Sequence, residues 1–220
     1  MHKTPSRHIP VREAGRSGVA GRRSLTAGAL ACALLGAALV VPRQASAQDV
    51  RLRNTDPAVQ RALAQAQQLQ GWTLDQQISI CEIPAPPFKE QLRAEEFRRR
   101  LVALGYAEAR IDAVGNVIAS IGRGRGPRVM IAGHLDTVFP EGTDVKTTRT
   151  GDRIAGPGIG DDCRGLAVVL TVAKILKDAN VVPEGTLYLV GNVGEEGPGN
   201  LRGVRHIFTQ EMKGQVDFFI

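Results

Sequence analysis

The sequence has no internal repeat, few cysteines and, once its first 47 residues are set aside, no excess of either charge. Without a repeat, solenoid and propeller architectures are excluded. The 220 residues carry a formal charge of +6, which invites a nucleic-acid reading. Residues 1–47 account for it, with seven bases (Lys3, Arg7, Arg12, Arg16, Arg22, Arg23 and Arg43) against the single acid Glu13. The remainder balances 21 bases with 21 acids, so no basic face is left for a polyanion. Of three cysteines, Cys32 lies in the N-terminal stretch, which leaves Cys81 and Cys163. An exported protein could pair them, but nothing in the spacing requires it. The expectation is two unpaired thiols in a packed domain. Also missing is a Lys-Ser/Thr pair behind Gly156-Pro157-Gly158-Ile159-Gly160. Two carboxylates follow instead and would repel a phosphate, so a phosphate loop is ruled out.

The N-terminal stretch has the three parts of an export signal. A basic segment ends in Arg22-Arg23, an apolar run covers Leu25 to Val41, and Ala45-Ser46-Ala47 precedes Gln48. The paired arginines and Arg43 resemble a twin-arginine signal. The alternative is an uncleaved anchor, because 17 apolar residues nearly span a bilayer. Cleavage after Ala47 is the reading taken here, so residues 48–220 are expected outside the cytoplasm, periplasmic or secreted, with membrane contact only through the signal.

Helices are expected over Pro57–Gln70, Leu74–Glu82 and Lys89–Leu104, the last with Leu92, Phe97, Leu101 and Leu104 along one stripe. Pro57 suits a first helical turn, and Ile83-Pro84-Ala85-Pro86-Pro87 must break the second helix. Residues 109–112 and 116–121 flank Val114-Gly115 and predict a hairpin. Arg128–Ala132 predicts a central strand, Gly165–Lys177 a buried helix, Thr186–Gly191 a strand and Leu201–Phe208 a short helix. Val216–Ile220 begins another strand. Strands alternating with helices predict an α/β, three-layer sandwich with a mixed central sheet. A sequence that ends within a strand is expected to be truncated.

Chemistry-bearing residues collect at the ends of these strands, where active sites of α/β proteins form. Gly133-His134-Leu135-Asp136-Thr137-Val138 closes the central strand, and residues two apart in extended chain share a side. His134 and Asp136 then suit a metal ligand and the carboxylate that orients it. Asp161-Asp162 precedes the buried helix, where Asp161 taken alone reads as an N-cap. Glu195-Glu196 follows the next strand and by itself would pass for a solvated acidic turn.

Taken in order, residues 133–138, Gly-Pro-Gly-Ile-Gly-Asp-Asp (156–162) and Gly-Glu-Glu-Gly (194–197) resemble the three metal-site motifs of a di-zinc metallopeptidase family. That family includes peptidase T, glutamate carboxypeptidase, aminoacylase and succinyl-diaminopimelate desuccinylase. Residues 83–90 are similar to a segment of its peptidase T-like members. The resemblance implies two Zn2+ ions, with Co2+ or Mn2+ as substitutes. His134, Asp161 and Glu196 would be ligands, Asp161 bridging through a cis peptide to Asp162. Asp136 would fix the His134 ring, and Glu195 would be the general base. It implies hydrolysis of an amide bond in a small peptide, aminopeptidase- or tripeptidase-like, or else in an N-acyl amino acid. A further acidic ligand, a C-terminal His and a domain that dimerises are expected of the family and are not found up to Ile220; a homodimer would depend on that domain. Asp217 and His206 are poor substitutes for the two ligands, and Cys163-Arg164 stands where many relatives have a Lys. Two other readings stay open: a single-domain zinc aminopeptidase, and a non-catalytic remnant or binding module.

Overall fold

The computed structural model describes residues 55–220; the export-signal reading and Cys32 lie outside them. Helix α1 (Pro57–Gln68) starts where Asp56 accepts a hydrogen bond from the Ala58 amide, with Pro57 in the first turn. Helix α2 (Gln70–Cys81) follows after one residue, earlier than the expected Leu74, and ends ahead of the proline-rich segment. Helix α3 (Gln91–Ala103) buries Ala94, Phe97 and Leu101. Leu92 departs from expectation and is 63% exposed, because the buried line runs through 94, 97 and 101. The adjoining buried position is filled by Arg93.

Strands β1 (Arg110–Ile111) and β2 (Val117–Gly122) form the expected hairpin. They are followed by β3 (Arg128–His134), β4 (Thr148–Thr150) and β5 (Arg153–Ala155). After helix α4 (Cys163–Asp178) come β6 (Thr186–Asn192), helix α5 (Arg202–His206) and β7 (Phe218–Phe219). A wider π turn, Ile207–Glu211, continues α5. The main sheet has the order β1-β2-β6-β3-β7. Strand β6 is antiparallel to β2 and parallel to β3, so the sheet is mixed. The β4–β5 hairpin was not legible in advance, since its short exposed strands carry no apolar alternation.

Period-two alternation along the strands feeds two cores. Val117, Ala119 and Leu189 face Ile80, Phe97, Leu101, Leu166 and Leu170 from α2, α3 and α4. Their neighbours Ile118, Met130 and Val190 face Ile207 and Met212 on the other side. Each fully buried Leu, Ile or Phe contributes about 1.5–3 kcal/mol, so these faces fix the strand register. Helix α4 lies close on β3 through Gly133, where a Cβ would come within 2.7 Å of the Leu166 amide nitrogen.

The expected pair of free thiols is corrected here. Cys81, at the end of α2, and Cys163, at the start of α4, form a disulfide with Cα atoms 5.4 Å apart. Sequence spacing did not reveal it, because the two helix ends, 82 positions apart in sequence, are brought together only by the fold between them. Among the described residues no helix is long and apolar enough to cross a membrane.

Candidate metal centre

Strands β3 and β6 run parallel with His134 opposite Asn192, so both chains leave the sheet at the same edge. The Leu135 amide still donates to the Asn192 carbonyl at 2.7 Å before the chains diverge. This shared edge forms a cleft of about 540 Å3 lined by His134, Asp161, Asp162, Asn192, Glu195 and Glu196. The three motifs therefore meet. His134, Glu195 and Glu196 each offer a ligand atom within 4.8 Å of the others. Asp161 reaches the same imidazole, with Oδ1 2.8 Å from His134 Nε2, and Glu195 Oε2 lies 4.0 Å from that nitrogen.

His134 is buried and its Nδ1 lies 3.0 Å from the Asp136 carbonyl oxygen. With Nδ1–H donating there, a neutral ring aims the Nε2 lone pair at carboxylate oxygens. A proton or a cation must sit between them. Burial works against the charged ring, but hydrogen bonds to Asp136 and Asp161 and the Asp162 charge prevail, raising its pKa to about 9. The Glu196 carboxyl is raised by burial and then by the Asp161 charge. An imidazole among crowded carboxylates is a donor set that fits divalent cations.

Asp136 does more than face the imidazole. Its Oδ1 accepts the Glu195 amide at 3.0 Å and its Oδ2 the Glu196 amide at 2.9 Å. Burial opposes its charge, yet His134 and the amides of Glu196 and Glu195 hold the carboxyl below its ordinary value. Asp136 thus ties two of the three motifs together.

The Asp161–Asp162 peptide is cis, as the resemblance implies. The N-cap of α4 is Asp162, whose Oδ1 accepts the Gly165 amide at 2.7 Å. Its Oδ2 accepts the His134 amide at 3.0 Å, which fixes the end of β3. Asp161 is left to face the cleft. Burial raises the Asp162 carboxyl in spite of these hydrogen bonds.

Several supporting residues escaped the sequence reading. Asn116 is fully buried, and its Oδ1 accepts the Val193 amide while its Nδ2 donates to Asp112 and to the Gly203 carbonyl. The available signal was the Asp112–Asn116 turn, in which Asp112 Oδ1 accepts three successive amides. Arg93 is buried and donates to the carbonyls of Cys81, Ile83 and Leu135. Burial lowers its pKa to about 10, with the Asp136 charge pulling the other way. His206 lies beside Asp112 and Glu211, and Asp217 pairs with Arg128 at the start of β3. Neither lines the cleft.

The sequence and the fold are similar to those of known proteins. Residues 130–220 match the model of Peptidase family M20/M25/M40. Carboxypeptidase G2 of Pseudomonas sp. (strain RS-16) is 36% identical over 118 residues, covering 50% of this chain and 28% of that protein. The yeast (Saccharomyces cerevisiae) di-peptidase Dug1p superposes with a TM-score of 0.58 at 15% identity, over 73% of this chain and 40% of that one. The Bacillus subtilis YXEP protein, described as a dinuclear metal binding peptidase from the M20 family, has a TM-score of 0.51 at 18% identity, over 70% and 42%. The likeness to the two solved structures shows the fold, a mixed sheet with helices on it. The chain spans less than half the length of each of these relatives.

Proposed function

From the match of residues 130–220 to peptidase family M20/M25/M40 we propose that the protein is an exported, zinc-dependent hydrolase of amide bonds in small peptides. The observation that carries this reading is the convergence of His134, Asp161, Glu195 and Glu196, from two strand ends and the start of α4, in one cleft. His134, Asp161 and Glu196 would hold a pair of zinc ions. Two such ions supply Lewis acidity toward the amide carbonyl and lower the pKa of the attacking water to about 7. Glu195 takes the proton from that water and returns it to the leaving amine. The Asp136 carboxylate keeps Glu195 and Glu196 in place through their amides, and the Asp136 backbone carbonyl orients the His134 ring. Export is supported by residues 1–47 and by the Cys81–Cys163 disulfide, which suits an oxidising compartment.

An aminopeptidase or tripeptidase is favoured by residues 83–90. A second reading, removal of a C-terminal residue or of an N-acyl group, is favoured by the 36% identity to a carboxypeptidase. A panel of three substrates separates them: a tripeptide with a free amine, an N-blocked dipeptide with a free carboxylate, and an N-acyl amino acid. Turnover is expected with zinc, is lost on chelation and returns with zinc or cobalt. Two bound zincs without turnover on any of the three overturns the proposal. Glu195→Gln is expected to cost roughly 10²–10⁴-fold in kcat with both zincs retained. Loss of a zinc instead would show that Glu195 and Glu196 exchange roles.

A further inference from the structure

We propose that Glu90 and Arg202 are a positioning pair that sets the Glu195–Glu196 turn against His134. The inference rests on the function proposed above and extends it to residues outside the cleft. Glu90 precedes α3 at the end of the proline-rich segment and is only 3% exposed. Arg202 opens α5 and grips it with both arms, Nη1 to Oε1 at 3.0 Å and Nη2 to Oε2 at 2.7 Å. Such a two-pronged guanidinium–carboxylate contact fixes orientation as well as distance. The Glu90 carboxylate also accepts the Phe88 amide at 3.1 Å, and the Phe88 ring lies 5.0 Å from the Arg202 guanidinium carbon.

What the pair holds is Gly194, the residue before the two glutamates. Gly194 has φ +61°, and a Cβ there would lie 2.0 Å from Arg202 Nη1. The Arg202 amide donates to the Gly194 carbonyl at 3.2 Å. On its other side Gly194 meets Gly199, where a Cβ would come within 2.5 Å of the Gly194 Cα. Gly194 is thus enclosed by the Arg202 side chain and the Gly199 backbone. The next two amides are held by Asp136. The turn has two fixings, one on the cleft side and one behind it. Loosening the rear fixing lets both carboxylates drift, and displacements near 1 Å cost about 10²-fold in rate.

Two variants test this. Arg202→Lys keeps the charge but loses the fork and the contact with Phe88. The double variant Glu90→Gln/Arg202→Gln removes both charges, so neither is left buried alone, and it decides the matter if the lysine variant does not fold. Cobalt titration followed by visible absorption reports the two metal-binding steps, and kcat and KM are measured at saturating zinc. The expected result is one cobalt step weakened roughly 10-fold or more with the other unchanged, kcat reduced roughly 10–100-fold and KM within about twofold. Folded variants with lower Tm but wild-type cobalt steps and wild-type kcat overturn the proposal, leaving the pair a purely stabilising contact. If the wild type binds two cobalt ions and turns over nothing, the hydrolase reading fails, while the cobalt steps still decide the pair.

Discussion

Asp136 meets the imidazole chiefly through its backbone carbonyl, at 3.0 Å against 3.6 Å for the carboxylate, and the glutamate amides through the carboxylate, so a side-chain substitution tests mainly the second contact. Replacing its side chain with that of Asn leaves one oxygen acceptor and sets an amide NH2, a donor, against a backbone N–H whose hydrogen bond the lost oxygen accepted. The misplaced turn should lower kcat roughly 10–100-fold, with a smaller effect on zinc affinity. His134→Ala, by contrast, removes a ligand and should weaken metal binding outright; calorimetric zinc titration alongside kcat separates the two outcomes. His134, Asp136, Asp161, Glu195 and Glu196 were legible in the sequence because each sits in a short motif at the end of a strand or the start of a helix. Arg93, Asn116, Glu90 and Arg202 were not. A charged or amide side chain in a helix or turn reads as solvent-facing until the fold buries it, and Arg93 at the buried face of α3 is the clearest case.

At the level of elements, the approach of α4 to β3 decides where Asp161 and Asp162 lie. Gly133→Ala puts a methyl group against the α4 backbone, 2.7 Å from Leu166 N and 2.8 Å from Gly165 C. Neither atom can move without shifting the helix, so a destabilisation of about 1–3 kcal/mol is expected in urea unfolding. A second element-level contact joins the end of α2 to residues 146–147. Glu82 accepts the Thr147 amide and hydroxyl and the Lys146 ammonium. The Thr147 amide, then the Lys146 and Thr147 side chains, hold its carboxyl down at about 2 from an ordinary 4.5. A folded-state pKa below the unfolded one means the contribution is complete above about pH 4.5 and is lost as the pH falls toward about 2. Glu82→Gln should therefore lower stability above about pH 4.5, converge with the wild type as the pH falls toward about 2, and so flatten the acid side of the stability–pH curve measured by urea unfolding. Strand and helix positions followed from periodicity, whereas the β4–β5 hairpin, lacking any, did not.

For the molecule as a whole, the Cys81–Cys163 disulfide links positions 82 apart in sequence and joins α2 to the start of α4, beside the carboxylates. Replacing both cysteines by Ala is expected to cost about 2–4 kcal/mol of stability. It should also weaken metal binding, since Asp161 and Asp162 directly precede Cys163; unfolding and zinc titration with and without reductant check both. The amino-acid sequence by itself determined the chemistry: one imidazole and two acidic pairs, each placed at a strand or helix end by local patterning. It also determined the α/β class, because apolar periods of two and of three to four are written locally. Tertiary structure alone decided that the cysteines pair, that Asp162 rather than Asp161 caps α4, and that Glu90 meets Arg202 across 112 positions of sequence. Such contacts depend on how sheet and helices pack, and no local period encodes which distant side chains that packing brings within reach.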